Sequence, residues 1–248
     1  MTAIITLLTD FGTADGYVGE MKGVLLSHAP GAVLVDVAHD LAPHDVEGAR
    51  LALARYWRRY PAGTVHLVVV DPGVGGVRAA LAVKCGGRYL VGPDNGVLSP
   101  ALLHPEARCV MLPVPAGASA TFHGRDLFAP AAASLAAGAS LEELGDSFAG
   151  AVKRRTPEAQ RRPDGAIEGV VITIDRFGNA VTNLVARRGG AVQVAALSIA
   201  IRHTYADVES GEPVAVIGSS GLVEIAVRDG SAAVRLGLAR GAPVTLRT

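Results

Sequence analysis

Three short apolar runs, at residues 4–8, 33–37 and 65–70, alternate with two longer stretches, 15–28 and 44–60, that have the apolar spacing of helices. That β-α-β-α-β order narrows the options more than any other feature of the chain. It predicts a parallel sheet with right-handed crossovers, and hence a doubly wound α/β domain. In the first helical stretch Tyr17, Val18, Met21, Val24 and Leu25 recur on one face, and Pro30-Gly31 stops it. The third run is apolar and β-branched at almost every position, the pattern of a strand buried on both faces. Its carboxyl end leads into Asp71, then Pro72, Gly73, Val74, Gly75, Gly76, Val77 and Arg78. Open α/β sheets place ligands at the carboxyl ends of their strands, which makes Asp71 the first candidate. The glycines permit positive φ and close approach of backbone to a ligand, and the spacing lets Arg78 fold back onto the Asp71 carboxylate. A structural salt bridge at a strand end fits the same residues, and spacing alone leaves both readings open.

Farther along, residues 79–83 and 88–91, separated by Gly86-Gly87, read as a hairpin or a further pair of strands. Gly92-Pro93-Asp94-Asn95-Gly96 is a turn-rich loop of the kind that carries function in such sheets. After the apolar run 109–112, Thr121-Phe122-His123-Gly124-Arg125-Asp126 leads into an alanine-rich helix that ends near Gly138. Beyond a polar stretch the period changes. Residues 166–174, 191–200, 213–217, 222–227 and 244–246 are strand-like runs separated by Gly, Asp and Ser, with no helical pattern between them. The expected architecture is α/β: an amino-terminal, mostly parallel doubly wound sheet domain at 1–152, a linker at 153–163, and a small carboxy-terminal β-barrel domain at 164–248. Two domains of different class make a cleft, a preferred place for ligands.

Lys plus Arg number 23 and Asp plus Glu number 23, which removes the electrostatic case for nucleic acid or an anionic membrane as partner. The densest basic stretch, Lys153-Arg154-Arg155 with Arg161-Arg162, reads as solvated linker charge. Cys85 and Cys109 lie far apart and form no Cys-x-x-Cys pair, which fits a reducing compartment. The first apolar run is too short to span a bilayer, so it reads as the first strand of a cytoplasmic protein.

Four polar clusters stand out. Asp10, with Asp15 close by, ends the first strand, where a carboxylate can accept two hydrogen bonds from a ribose diol or cap the next helix. Asp71 with Arg78 forms the second cluster, and His123 with Arg125 and Asp126 the third. In the barrel, residues 174–183 pack an acid, an aromatic and two amides around one turn. Phe177 suits stacking on a base, Asn179 an adenine edge and Asp175 an ammonium, although an Asx-rich hairpin with a core Phe fits too. His39-Asp40 and His44-Asp45 invite a metal reading, but Pro43 lies between them and there is no His-Glu-x-x-His helix or cysteine set. The segment 73–76 lacks the Gly-Lys-Ser/Thr ending of a phosphate loop. Neither a Gly-x-Gly-x-x-Gly fingerprint after the first strand nor a Gly-x-Ser-x-Gly elbow is present.

Six ordered blocks together resemble one known family. They are Thr9-Asp10-Phe11-Gly12 with Asp15, Asp71-Pro72-Gly73-Val74-Gly75 with Arg78, Gly92-Pro93-Asp94-Asn95-Gly96, Thr121-Phe122-His123-Gly124-Arg125-Asp126, Asp175-Arg176-Phe177-Gly178-Asn179, and Glu224-Ile225-Ala226-Val227. The resemblance is to the S-adenosyl-L-methionine hydroxide adenosyltransferase family, which also includes fluorinase and chlorinase enzymes. It implies hydrolysis of S-adenosyl-L-methionine to adenosine and methionine without metal or cofactor. It also implies a homotrimer with sites at subunit interfaces. On this resemblance Asp71, Arg78 and His123 are catalytic, while Asp10, Asp15, Asp175, Phe177, Asn179, Ser220 and Val227 bind substrate. Within that set Asp10 takes the ribose diol, Phe177 and Asn179 the adenine, Asp175 the methionine ammonium and Ser220 the methionine carboxylate. Halogenases of the family carry an aromatic residue at the Asp71 position and a hydroxyl residue at the Val74 position, so both residues here point away from halogenation. The rival readings are a chlorinase-like halide adenosyltransferase and a non-catalytic sensor that binds S-adenosylmethionine or adenosine.

Overall fold

A computed structural model describes residues 2–187 and 189–247. The chain divides into two compact units, residues 1–155 and 156–248. The first is built on a seven-stranded sheet: β1 (Ile4–Thr9), β2 (Val33–Ala38), β3 (Val65–Val69), β4 (Ala80–Cys85), β5 (Arg88–Pro93), β6 (Arg108–Met111) and β7 (Asp146–Ser147), in the spatial order β2-β1-β3-β5-β4-β6-β7. The parallel half, β2-β1-β3-β5, is the expected one. The other half is antiparallel, because β4 and β5 form a tight hairpin through Gly86-Gly87 and β6 and β7 continue from its outer edge.

The sheet is covered on both faces, as a doubly wound fold requires. Met21 and Leu25 of α1 (Tyr17–His28) pack on one face against Ile5, Leu7, Val65, Leu67 and Val69. On the opposite face lie Val46, Ala49 and Leu53 of α2 (Val46–Tyr56), with Ala101 and Leu102 of the one-turn α3 (Ser99–Leu102). The alanine-rich α4 (Ala129–Ala136) joins the α1 face, where small side chains let it lie close against Val69 and Val91.

Element boundaries differ from the sequence reading for local reasons. The first helix starts at Tyr17 because Gly16 is left-handed (φ 79°), and no side chain caps it, so neither Asp10 nor Asp15 serves as its cap. The second starts at Val46, with Asp45 accepting from the Gly48 N–H at 3.0 Å, and tightens into a 3₁₀ turn at Trp57–Arg59. Residues 124–128 form a π-helical turn that runs directly into α4.

The second unit contains β8 (Gln160–Arg161), β9 (Ile167–Ile174), β10 (Ala180–Thr182), β11 (Ala191–Val194), β12 (Leu197–Arg202), β13 (Pro213–Ile217), β14 (Val223–Val227) and β15 (Pro243–Arg247). Seven strands close into a barrel in the order β9-β10-β14-β13-β12-β11-β15, and β8 pairs with the end of β9 that β10 leaves free. The expected barrel is therefore present. The run read as one strand at 191–200 is two, turning at Ala195 (φ 50°); with no Gly, Pro or Asn at the turn, the apolar pattern passes through it uninterrupted. A short helix that periodicity did not reveal, α5 (Ala232–Leu236), follows β14, its first turn capped by Ser231 accepting from the Val234 N–H at 3.2 Å.

Candidate active site

The strand order places the site. From β1 the chain crosses one face to β2, then returns over the other face to β3, so the winding reverses between β1 and β3. The crevice at the carboxyl edge of such a reversal is where this sheet type binds ligands. Thr9 is in register with Val69 there, which puts Asp10 and Asp71 just past the ends of adjacent strands.

Asp71 and Arg78 do form the pair expected of them. The Arg78 Nε–H lies 3.0 Å from Asp71 Oδ1 and 3.1 Å from Oδ2, and Nη2 donates to Oδ2 as well. Both side chains are nearly enclosed, with 10% of Arg78 and 5% of Asp71 exposed, so this is no solvated surface bridge. The guanidinium also stacks over the Phe128 ring, 5.2 Å from its centroid. The turn between the two residues presses against the segment that leads to His123: Gly75 has φ 73°, and a Cβ there would meet the Ala120 carbonyl oxygen at 2.2 Å. Glycine is needed at that position both for its backbone angle and for the close approach.

His123 completes the group, its Nδ1 lying 2.9 Å from Arg78 Nη2. A guanidinium has only donors, so Nδ1 must accept, and the neutral ring then carries its proton on Nε2. Burial and the Arg78 charge push the His123 pKa below the ordinary imidazole value, with Asp71 and Asp126 pulling weakly the other way. The loop before it is fixed by Asp126, which accepts from the Ser119 N–H at 2.9 Å and from Arg125, while Arg125 reaches Glu20 on α1. Phe122, Phe11 and Tyr17 meet edge to face beside these residues, with ring centroids 5.4–6.1 Å apart.

Asp10 accepts from the His44 backbone N–H at 2.8 Å through Oδ2, which ties the end of β1 to the loop before α2. Asp15 is exposed in the loop between β1 and α1. His39 is engaged by Thr9 at Nδ1 (2.8 Å) and by Asp36 at Nε2 (3.0 Å), so its ring is a structural link. Among the described residues no group of three or more His, Cys, Asp or Glu side chains is arranged to hold a metal ion.

The barrel unit carries its own polar group. Asp175 Oδ1 accepts from the N–H groups of Phe177 (2.9 Å) and Asn179 (2.8 Å), and its Oδ2 accepts from Asn179 Nδ2 (3.0 Å). The carboxylate thus organises its own turn, and one Asn179 amide hydrogen is spent on it, leaving the other and Oδ1. Phe177 is no core residue, being 78% exposed. Gly178 packs so tightly on Ser231 that a Cβ would lie 2.0 Å from its hydroxyl. Ser220 is exposed in the turn between β13 and β14, whereas the Val227 side chain is buried in the barrel core, so any ligand contact there falls to its backbone.

Two features escaped the sequence reading. Glu224, quoted only as part of a block, is 6% exposed and accepts from the Tyr205 hydroxyl at 3.1 Å; burial, then Glu224, pushes the Tyr205 pKa up to about 12. Asn95 donates from Nδ2 to the Val70 carbonyl at 2.8 Å, directly behind Asp71. An acid inside an otherwise apolar strand is a sequence signal for the first, while a turn motif names no distant partner for the second.

An α/β unit in which one arginine contacts both an acid and a histidine at the switch point, followed by a seven-stranded barrel with an exposed aromatic beside an Asx turn, is the class of protein seen here. Residues 5–145 match the family model of the SAM hydroxide adenosyltransferase N-terminal domain, and residues 169–245 match that of the C-terminal domain. The chain belongs to the SAM hydroxide adenosyltransferase family. It is 45% identical to the (R)-S-adenosyl-L-methionine hydrolase of Thermus thermophilus, over 98% of each chain, and 39% identical to that of Salinispora tropica, over 97% of this chain and 96% of the relative. A fluorinase of Actinoplanes is similar at 28% identity, over 98% and 97%. Among solved structures, an uncharacterized conserved protein from Thermotoga maritima superposes with a TM-score of 0.88 at 32% identity, covering 98% of this chain and 100% of that one. No helix among the described residues is long and apolar enough to cross a membrane.

Proposed function

We propose that this chain hydrolyses S-adenosyl-L-methionine to adenosine and L-methionine. The observation that carries the reading is the contact of Arg78 with both Asp71 and His123 at the carboxyl edge of the sheet. The hydrolase relatives support it, and because their name specifies the (R) form we extend the proposal to that sulfonium epimer.

In this reading water forms the new C5′–O bond as the C5′–S bond breaks, the electron pair leaves on sulfur, and methionine departs as a neutral thioether. The leaving group needs no acid, so the demand falls on holding one water in line with sulfur and taking its proton. Asp71 Oδ1 is the acceptor, since beyond its bond to Arg78 Nε it keeps a lone pair. Arg78 holds that carboxylate aimed, and offsets negative charge developing on the attacking oxygen. With Nδ1 occupied, His123 presents Nε2–H as a donor that orients the water, and the released proton passes from Asp71 to solvent. Asp10 takes the ribose diol with Asp15 beside it, Phe177 stacks on adenine and Asn179 reads its edge. Asp175 takes the methionine ammonium, Ser220 the carboxylate, and Val227 contributes backbone.

Purified protein given S-adenosylmethionine should release adenosine and methionine in equal amounts; binding of adenosine without turnover would favour the sensor reading. Excess chloride should yield no chlorodeoxyadenosine, because an anionic, nearly enclosed Asp71 repels a halide from the nucleophile position. We also propose a cytoplasmic homotrimer with its sites at subunit interfaces. The full exposure of Val77 beside Arg78 and the exposure of Phe177 support a covering partner, and the mass in solution tests it.

A further inference from the structure

We propose that Asn95 is a positioning residue for Asp71, an inference that rests on the hydrolase reading. The catalytic turn has two legs, Val70 leaving β3 and Ala79 entering β4, and the 92–96 loop grips both. Asn95 Nδ2 donates to the Val70 carbonyl at 2.8 Å, and the Asp94 N–H donates to the Ala79 carbonyl at 2.9 Å. The Val70 carbonyl lies beyond the last ladder position of β3, and Val70 is fully buried. Its oxygen shares one planar peptide with the Asp71 nitrogen and Cα, so fixing that oxygen fixes the direction in which Asp71 leaves the strand.

The brace is itself held. Asn95 Oδ1 accepts from the Val97 N–H at 3.1 Å, leaving the amide no freedom to flip. Asp94 Oδ1 accepts from the Val152 N–H at 2.7 Å, and Ser99 bonds both the Gly96 carbonyl (2.6 Å) and the Arg154 N–H (2.8 Å). On the β3 side Gly92 sits so close that a Cβ would lie 2.4 Å from the Val68 carbonyl oxygen. Asn95 therefore acts on the reaction through Asp71 rather than on the substrate.

The test is steady-state kinetics of Asn95→Ala and Asn95→Asp. Asn95→Ala should lower kcat by about 10- to 100-fold, the scale expected of a catalytic group displaced by up to an ångström, with KM within about threefold. In Asn95→Asp an ionised carboxylate faces the Val70 carbonyl, whereas its protonated form restores a donor there. The rate of Asn95→Asp relative to the native protein should therefore rise as pH falls, and that of Asn95→Ala should stay flat. Adding Asn95→Ala to Asp71→Asn should cost little more than Asp71→Asn alone. Native-like kcat in both single variants, a loss confined to KM, a flat ratio for Asn95→Asp, or full additivity with Asp71→Asn would each overturn the inference. If Asn95→Ala does not fold, the pH ratio of Asn95→Asp still decides. A native protein that forms no adenosine would instead defeat the hydrolase reading.

Discussion

Arg78 Nη2 lies 2.9 Å from His123 Nδ1, and the same guanidinium grips both oxygens of Asp71. One cation thereby sets the tautomer of the histidine and the aim of the acid, and the proposed mechanism divides the labour between them accordingly: the carboxylate to accept the proton, and the imidazole to donate a hydrogen bond through Nε2.

The pH dependence of the rate follows from that contact. Protonating His123 at Nδ1 would set two donors against each other, so the proposed mechanism requires the neutral ring. Burial and Arg78 depress its pKa. The acid limb of kcat/KM should therefore have its midpoint below the usual imidazole value of about 6.5. A pH profile with its midpoint at or above that value would contradict this assignment.

Asp71→Asn preserves shape and removes the proton acceptor. It should lower kcat by about 10²- to 10⁴-fold, the range for a general base. Circular dichroism should stay native, although the melting temperature should fall, because the Arg78 charge, 10% exposed, loses its anion. A rate within tenfold of native would remove Asp71 from the role.

Stability should respond to pH through a different histidine. His66 is fully buried beside β1, with Nδ1 2.8 Å from the Thr6 hydroxyl and its ring edge-on to Tyr56 and Tyr60. Burial lowers its pKa from 6.5 to about 4. Between those values the unfolded chain binds the proton and the folded chain does not. Stability thus falls as pH drops from about 6.5 and levels off near 4, by up to roughly 3 kcal/mol. Urea unfolding at a series of pH values should show this slope, and His66→Leu should flatten it while sparing kcat at neutral pH.

Gly75→Ala should be costly where Gly117→Ala is neutral. The first puts a Cβ 2.2 Å from the Ala120 carbonyl at φ 73°, while a Cβ at Gly117 meets nothing within 4 Å. A loss of about 2 kcal/mol or more is expected at Gly75, from strain and overpacking. A larger fall in rate should accompany it, because the turn carries Arg78. Thermal melts and rates of the two variants side by side check this.

How much of this was legible beforehand differs by level. The parallel core was readable because runs such as residues 65–70 carry the signature of two-sided burial, and Asp71 could be singled out because a strand's carboxyl end is a privileged place in such a sheet. The antiparallel half was harder, since a Gly-Gly turn specifies a hairpin without saying which strand it joins. The Arg78 contact with Asp71 was legible because only a glycine-rich turn separates them, whereas pairings between distant segments were not. The turn residue Asn95 finds its partner 25 positions away, and Glu224 is matched by Tyr205 across the outer face of the barrel. The Ala195 turn was hidden because nothing in its residue type marks a positive φ.

The most direct test of the central claim is to incubate the protein with S-adenosylmethionine in water enriched in heavy oxygen and weigh the products. The account predicts adenosine that carries one solvent oxygen at the 5′-hydroxyl, with unlabelled methionine. Adenosine without the label, or no adenosine at all, would contradict it.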